Sequence, residues 1–278
     1  MQQIITIKDL QQYLQEKILA SKKIGFVPTM GALHKGHISL IDKARNENDI
    51  VICSIFVNPT QFNDPTDLEK YPRTPESDSE LLKNAGCDVL FSPSIEEMYP
   101  EKDTRVFDFG GIDKVMEGKF RPGHFNGVAQ IVTKLFDLIK PHNAYFGKKD
   151  FQQLTIIKHI VKTLNIPVNI IACETVREED GLAMSSRNVR LNEEERKQAT
   201  YISKALFFIK DNANNFDLEE LKVKALSILA PHSLIKLEYL EIVDTETLLP
   251  VNKINAGRTV ACIAAFVGNV RLIDNISL

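Results

Sequence analysis

Two histidines, His34 and His37, flank a lysine and a glycine in the stretch GFVPTMGALHKGHISLI, just after a short apolar run. Their three-residue spacing lets both imidazoles face one side of a helix start. Imidazoles can donate hydrogen bonds to phosphate oxygens, and the free N–H groups of a helix N-terminus favour anions. The stretch therefore predicts a phosphate-binding site more strongly than it predicts two ordinary surface histidines.

Two glycines give this junction its backbone freedom. Gly31 lets the chain turn sharply after the apolar run, and Gly36 leaves space for a ligand to approach the first helical turn. The order strand, turn, helix is that of a crossover at the carboxyl edge of a parallel sheet, where ligands bind. We therefore expect both histidines at a ligand-binding edge.

Further polar residues follow other predicted strands and turns. FVNPTQF puts Asn58 and Gln61 at a strand end, although an Asn-Pro pair is also typical of an ordinary turn. RPGHFNGV places Arg121 and His124 in a loop before a helix, and a turn accounts for its glycine and proline only. In YPRTPESDSELL, Asp78 stands near a helix start, where a solvated carboxylate or a helix N-terminal charge is an equally ordinary interpretation.

A parallel sheet has to position these residues. The first two-thirds of the chain alternates short apolar runs with longer amphipathic stretches, which is typical of parallel strands covered by helices on both faces. We predict an α/β fold with a Rossmann-like doubly wound parallel sheet. The predicted strands are KIGFVPT, DIVICSIFV, CDVLFSP, NAYFG and PVNIIACET, and the predicted helices are HISLIDKARNEN, DSELLKNAG, GVAQIVTKLFDLIKP and DFQQLTIIKHIVKTLNI.

The pattern changes near Ser185. The stretch from Asn192 to about residue 232 is helical with polar breaks, and Asn192 with the acidic residues after it makes a plausible helix cap. IKLEYLEIVD and TVACIAAFVGNVRLIDNISL then predict a mostly antiparallel sheet. We predict two domains: residues 1–184 bind nucleotide and acid substrate, and residues 185–278 form a smaller α+β lid.

Composition narrows the function classes. The chain has 278 residues, a net charge of −3 and 26% charged residues, so it lacks the basic surplus of a general nucleic-acid binder. No window approaches the ~20 apolar residues of a membrane span, and the N-terminus lacks a signal-peptide core. The four cysteines form no C-x-x-C pair, which favours buried free thiols over a metal or disulfide framework. We expect a cytoplasmic protein with no nucleic-acid or membrane partner.

The motif HKGH resembles the H-x-G-H signature of the nucleotidyltransferase superfamily, and the longer string PTMGALHKGH resembles the pantoate–β-alanine ligase family. The resemblance covers nearly all of residues 24–191. It implies an ATP-dependent condensation of (R)-pantoate with β-alanine to pantothenate, AMP and pyrophosphate, through pantoyl adenylate. It also implies that the substrates are ATP, pantoate and β-alanine, that Mg²⁺ is the metal, and that the chain forms a homodimer.

The same resemblance assigns residues to roles. It implies that His37, His34 and Lys149 are catalytic. The residues expected to bind ATP are Met30, Gly31, His34, Gly36, His37, Gly147, Lys149, Asp150, Val176, Met184, Ser185, Ser186 and Arg187. Those expected to bind pantoate or β-alanine are Asn58, Gln61, Arg121, His124 and Gln153, and Asp78 is expected to contact Mg²⁺.

The motif strings support these roles in detail. YFGKKDFQQL is similar to the family pattern F-G-x-K-D-x-Q-Q-L, which makes Lys149 the matching lysine and Asp150 the contact to a ribose hydroxyl. TVREEDGLAMSSRNVRL resembles the second phosphate loop of the superfamily, and the backbone of Val176 would border adenine. Glu174 stands where the family is expected to have proline. Neighbouring acidic residues such as Glu76 leave the alignment of the metal ligand open.

In the implied mechanism these groups neutralise the departing pyrophosphate, because phosphoryl transfer needs positioning and charge stabilisation more than covalent help. His37 is the expected proton donor, although a helix N-terminus tends to lower the pKa of a histidine and favours a neutral imidazole. Two alternatives remain. One is another H-x-G-H enzyme, such as a cytidylyltransferase or phosphopantetheine adenylyltransferase; the other is a non-catalytic nucleotide-binding module.

Overall fold

The computed structural model describes residues 1–278, apart from the side chain of Ile18. Six parallel strands form one sheet in the order β1-β4-β3-β2-β5-β6. Their bounds are β1 Gln2–Ile4, β2 Ile24–Thr29, β3 Ile50–Ile55, β4 Val89–Phe91, β5 Asn143–Gly147 and β6 Asn169–Cys173. The helices that connect and flank them are α1 Ile7–Leu19, α2 Lys35–Glu47, α3 Pro65–Glu69, α4 Pro75–Asn84, α5 Ile95–Met98, α6 Met116–Phe120, α7 His124–Ile139 and α8 Phe151–Thr163.

Strand residues alternate between two apolar layers, because successive side chains of a strand point to opposite faces. Phe26 and Ile52 pack with residues of α1, α7 and α8 in one buried cluster. Val27 and Cys53, one position further along, pack with residues of α2 and α4 in another. Helices therefore cover both faces of the sheet, and the predicted doubly wound α/β fold is confirmed.

The remainder of the chain contains α9 Glu193–Asp211, α10 Leu218–Leu229 and the strands β7 Ile235–Asp244, β8 Thr259–Val267 and β9 Val270–Ser277. The three strands form an antiparallel sheet in the order β7-β8-β9. Helix α9 begins at a capping box in which Asn192 and Glu195 bond reciprocally. A further buried cluster joins Ile156 of α8 to Val243 and Val260 of this sheet, so the antiparallel sheet packs against helices that flank the parallel sheet.

The five predicted strands and four predicted helices of the parallel sheet are all present, as are the helices and strands of the smaller unit. Strand β1 and the helices α1, α3, α5 and α6 were not predicted from the sequence. All four cysteines are buried free thiols, as predicted. Within the part of the chain that the structure describes, no helix has the length and apolar character to cross a membrane.

Candidate active site

A cleft of about 240 Å³ opens at the carboxyl ends of the central strands, between the parallel sheet and β9. It brings together residues from loops that are far apart in sequence, and every predicted site residue lines it except Gly31 and Asp78. The predicted residues that line it are Met30, His34, Gly36, His37, Asn58, Gln61, Arg121, His124, Gly147, Lys149, Asp150, Gln153, Val176, Met184, Ser185, Ser186 and Arg187.

The histidine pair forms the start of α2. His34 is the N-cap residue, and its Nδ1 accepts a hydrogen bond from Gly36 N–H at 3.2 Å. His37 reaches back, and its Nδ1 accepts from His34 N–H at 3.3 Å. This is a capping box built from two imidazoles rather than from hydroxyl and carboxyl groups. Because a neutral imidazole that accepts at Nδ1 carries its proton on Nε2, each ring keeps one N–H donor for a ligand in the cleft.

Both imidazoles are neutral at physiological pH. Burial, followed by the charge of Lys149, lowers the pKa of His34 to about 4. Burial, followed by His34 and Lys149, lowers the pKa of His37 to about 3. The helix N-terminus led us to expect neutral imidazoles, but burial is the main cause of their lowered pKa values.

Gly36 is required by this arrangement. A Cβ atom placed there would lie 2.9 Å from Cε1 and Nδ1 of the His34 ring and 3.7 Å from Cβ of Met184. The first of these distances is a steric clash. The glycine therefore makes room for the capping imidazole as well as for a ligand.

The lysine turn follows β5. A short 3₁₀-helix, Lys148–Asp150, carries Lys149, whose Nζ lies 3.6 Å from Asp150 Oδ1. Asp150 makes no side-chain cap to α8 and is about half exposed, so its carboxylate can accept bonds from a ligand. The neighbouring Lys148 pairs with Glu174. Glu174 borders the cleft, in place of the expected proline.

Gln61 is held from several sides at the end of the short 3₁₀-helix Pro59–Gln61. Its Nε2 donates to Met30 Sδ at 3.0 Å, and its Oε1 accepts from Asn58 Nδ2 at 3.2 Å. Asn58 is 1% exposed, and its amide also bonds Gly127 O and Tyr99 OH. Protein groups take up both Nδ2 hydrogens and the Oδ1 atom of Asn58, so the predicted direct substrate contact by Asn58 does not fit this geometry. Gln61 makes one bond at each end of its amide and keeps one hydrogen and one lone pair for a ligand.

Arg121 and His124 form a chain of hydrogen bonds that ends at the same 3₁₀-helix. His124 Nδ1 lies 2.7 Å from Gln61 O, and its Nε2 lies 3.2 Å from Arg121 Nη1. Burial and the Arg121 charge lower the pKa of His124 to about 3, so the neutral ring donates from Nδ1 and accepts at Nε2. His124 is therefore fully occupied by protein groups, and Arg121 is the member of the pair with donors to offer a substrate.

A buried carboxylate stands behind Arg121. Glu117 is 6% exposed and receives bonds from Arg271 at 2.6 and 2.8 Å and from Tyr239 OH at 2.8 Å. Its Oε2 is 3.7 Å from Arg121 Nη1. Strands β7 and β9 thereby contribute to the cleft wall beside Arg121.

The Ser185–Arg187 loop, predicted to bind phosphates, begins a 3₁₀-helix at Ser185, whose Oγ accepts from Arg187 N–H at 3.3 Å. Across the cleft mouth, Asp67 of α3 accepts from Arg187 Nη2 at 2.9 Å and from Arg190 Nη1 at 3.4 Å. Tyr71 OH is 3.4 Å from Ser186 Oγ. The segment around α3 and this loop therefore stabilise each other at one end of the cleft.

Asp78 does not lie among the cleft residues. Its carboxylate is 1% exposed and accepts from Ala32 N–H at 2.9 Å, Leu33 N–H at 2.8 Å and Thr74 Oγ1 at 3.0 Å. It lines a separate cavity of about 300 Å³ on the other side of the loop. The predicted Mg²⁺ contact is therefore not supported by the geometry, because these oxygens already stabilise a buried turn of the backbone.

Gly31 lines that separate cavity rather than the cleft, so the geometry does not support the predicted contact with ATP. Its role is instead in the conformation of the backbone. Its φ is +80° and that of Ala32 is +49°, both in the left-handed region. A Cβ atom at Gly31 would lie 3.0 Å from the Ile55 side chain and 3.1 Å from Asp78 Oδ2. Gly31 and Asp78 therefore shape the turn that delivers His34 to the cleft.

The two buried carboxylates of the cleft do not fit a resident metal ion. Arg271 and Tyr239 occupy Glu117, and Arg177 occupies Asp274 at 2.6 Å. Among the described residues no group of three or more His, Cys, Asp or Glu side chains is arranged as a metal site. Mg²⁺ commonly keeps waters and binds through substrate phosphates rather than through a dedicated cage of protein ligands.

Several cleft residues of the C-terminal strands were not predicted from the sequence, and of these Tyr239, Asp274 and Asn275 carry polar groups. Glu117 and Tyr71 were not predicted either. The one available signal was the polar pair Asp274-Asn275 inside an otherwise apolar strand. Such a pair is unusual in a buried strand, but its partners could not be identified without the fold.

Comparison with known proteins matches the chain to one family. The model of the family described as Pantoate-beta-alanine ligase matches residues 2–277. Pantothenate synthetase from Bacteroides fragilis is 53% identical over 99% of this chain and 98% of its own length. The enzyme of that name from Thermotoga petrophila is 48% identical, with 98% of each chain covered.

Two solved structures agree with this result. Pantothenate synthetase from Thermus thermophilus superposes with a TM-score of 0.95 at 43% identity, covering 100% of this chain and 99% of its own. Pantoate-beta-alanine ligase from Francisella tularensis, solved as a complex with β-γ ATP and β-alanine, superposes with a TM-score of 0.84 at 42% identity. The superposition covers 100% of this chain and 97% of the Francisella chain.

Proposed function

The chain belongs to the pantoate–β-alanine ligase family, and we propose how its cleft carries out the ATP-dependent condensation of (R)-pantoate with β-alanine. In the first step a pantoate carboxylate oxygen attacks the α-phosphorus of ATP, and the bond to the β-phosphate oxygen breaks to release pyrophosphate. In the second step the β-alanine amine attacks the acyl carbon of pantoyl adenylate. AMP leaves, and the amide of pantothenate remains.

The observation that carries this assignment is the convergence of four loop ends on one cleft: the His34–His37 pair, the Lys149 turn, the Ser185–Arg187 loop and Gln61 with Gln153. The first three groups supply donors and positive charge for a triphosphate. The two glutamines supply groups that both donate and accept, as the hydroxyls of a hydroxy acid require.

We assign the phosphate end as follows. His34 and His37 donate from Nε2 as neutral imidazoles, so His37 acts as a hydrogen-bond donor to developing phosphate charge rather than as the proton donor expected from the sequence. Lys149 neutralises the α- and β-phosphates. Ser185, Ser186 and Arg187 hold the β- and γ-phosphates, with Arg187 oriented by Asp67.

The nucleoside and acid ends take the remaining residues. Asp150 accepts from a ribose hydroxyl, and Gly147, Met184 and the backbone of Val176 border the base. Gln61 and Gln153 bind pantoate beside Met30. Arg121 attracts the carboxylate of β-alanine, while His124 and Asn58 keep Arg121 and Gln61 in place.

Mg²⁺ held by the phosphates of ATP would supply additional neutralisation of the departing pyrophosphate. We further propose that residues 185–278 act as a lid over residues 1–184 and that the protein works as a homodimer in the cytoplasm. The buried free thiols are compatible with a reducing compartment.

ATP–pyrophosphate exchange tests the proposal. Exchange should require pantoate, and later addition of β-alanine should yield pantothenate and AMP in equal amounts. Exchange without pantoate, or a product that retains the nucleotide, would indicate another H-x-G-H nucleotidyltransferase. ATP binding without turnover would indicate a non-catalytic module. Light scattering of the purified protein tests the dimer.

A further inference from the structure

Two adjacent residues near the C-terminus, Asp274 and Asn275 of β9, touch both phosphate-facing segments of the cleft. The Asn275 side chain is directed at the lysine turn: Nδ2 donates to Lys148 O at 2.9 Å and to Lys149 O at 2.7 Å. Asn275 is 7% exposed, so these bonds are shielded from water.

These two carbonyls belong to the peptide units on either side of the Lys149 Cα atom. Peptide units are planar, so holding both of them fixes the φ and ψ angles of Lys149 and the direction of its Cα–Cβ bond. One amide nitrogen with two hydrogens is suited to this task, because it can donate to both carbonyls at once.

Asp274 anchors the second segment. Its carboxylate is 3% exposed and forms a two-point pair with Arg177, at 2.6 Å to Nη1 and 3.0 Å to Nη2. Arg177 also donates to Gly181 O at 3.0 Å and to Asn275 O at 3.2 Å. Residues 177–183 lead directly into Ser185–Arg187, so Asp274 fixes the base of the second phosphate loop.

We propose that Asn275 is a positioning residue for Lys149 and that, together with Asp274, it keeps the lysine turn and the Ser185–Arg187 loop in fixed register around the triphosphate. The C-terminal sheet thus takes part in adenylation although neither side chain needs to touch ATP. The inference rests on the proposed function for the role of Lys149.

The test is a double-mutant cycle between positions 275 and 149, measured as pantoate-dependent exchange. Asn275→Ala should lower the exchange kcat about 10- to 100-fold, the cost of misplacing a charge-stabilising group, with the KM for pantoate little changed. Asn275→Asp keeps the side-chain shape but replaces the hydrogen-bond donors with acceptors. It should lower the exchange kcat at least as much as Asn275→Ala does. In a Lys149→Met background, adding Asn275→Ala should lower the exchange kcat by less than about a further 3-fold, because the two changes remove the same interaction.

Asn192→Ala is the matched control, since it removes a helix cap from the same C-terminal region at a distance from the cleft. It should lower the melting temperature without changing the exchange kcat. Wild-type kcat in Asn275→Ala, or effects that multiply fully with Lys149→Met, would overturn the inference.

Calorimetric titration with ATP gives a readout that needs no pantoate. Asn275→Ala should weaken ATP binding when Lys149 is present and leave it unchanged in Lys149→Met. A wild-type protein without pantoate-dependent exchange would refute the proposed function, whereas equal weakening of ATP binding in both backgrounds would refute the role of Asn275 alone.

Discussion

The ring of His37 accepts a hydrogen bond from the backbone N–H of His34, and the two imidazoles lie 4.1 Å apart between centroids. One nitrogen of each ring therefore caps α2, and the opposite nitrogen remains for a ligand. Protonation would put a hydrogen on each Nδ1, facing a backbone N–H, and would break the cap. The fold and the proposed chemistry therefore require the same neutral form.

This requirement makes stability depend on pH. The pKa values of His34, His37 and His124 are lowered to about 4, about 3 and about 3 in the folded protein. In the unfolded chain each would titrate near 6.5, so below that pH the unfolded state binds protons that the folded state does not. Stability from these groups is complete above about pH 6.5 and is lost as the pH falls towards the folded pKa values.

His124→Gln should therefore flatten the pH profile. One such histidine accounts for about 1.4 kcal/mol of the fall in unfolding free energy between about pH 7.5 and 5.5. Urea unfolding at both pH values measures this fall in wild type and variant, and the variant's fall should be smaller by that amount. Carboxylates titrate alike in both proteins, so their effect cancels in this comparison. If the fall in unfolding free energy were the same in wild type and variant, His124 would not be neutral in the folded protein.

His37→Gln and Lys149→Met should each lower adenylation about 10²- to 10³-fold, the usual cost of losing one preorganised donor to developing charge. Single-turnover formation of pantoyl adenylate measures the step directly. Lys35→Ala is a suitable control, because Lys35 lies in the same helical turn and is exposed. Adenylation near the wild-type rate in both variants would remove these residues from the phosphate site.

The sequence was most informative where chemistry and backbone geometry coincide in one short segment. The strand–turn–helix junctions around His34 and Lys149 could be recognised because their glycines, apolar runs and charged residues are neighbours along the chain. Strand β1 has only three residues, too few for a periodic pattern to emerge, and it pairs with β4 rather than with a sequence neighbour.

Long-range contacts explain what the sequence could not reveal. Asp78 stands in a run of acidic residues, but the backbone N–H groups that its carboxylate accepts from are those of Ala32 and Leu33, 45 or more positions away. Asn275 belongs to an unusual polar pair in an otherwise apolar strand, but its carbonyl partners are 126 and 127 positions away. Spacing along one chain contains no information about either pairing.

Gly127→Ala should impair pantoate binding selectively. A Cβ atom there would lie 2.3 Å from Thr60 O and 2.7 Å from Gln61 N, so the 3₁₀-helix that carries Gln61 would have to move. We expect the KM for pantoate to rise about 10-fold or more with little change in the KM for ATP, and stability to fall by about 1–3 kcal/mol.

Ile139→Val supplies the comparison for Gly127→Ala, because Ile139 is fully buried in the same helix and lies outside the cleft lining. It should cost about 0.5–1.5 kcal/mol of stability and leave both KM values unchanged. If the two KM values rose together in Gly127→Ala, the glycine would be acting on the whole fold rather than on Gln61.

Asp78→Ala should separate a structural carboxylate from a metal ligand. Removing it leaves the N–H groups of Ala32 and Leu33 buried without an acceptor, which costs about 1–3 kcal/mol each and loosens the turn before His34. We expect a lower unfolding free energy and a lower kcat, with the Mg²⁺ concentration for half-maximal exchange unchanged. Glu76→Ala, an exposed neighbour in the same helical turn, should change neither quantity. A rise of about 10-fold or more in the Mg²⁺ requirement of Asp78→Ala alone would restore the metal role, since losing a direct ligand weakens metal affinity at least as much as losing an outer-shell partner.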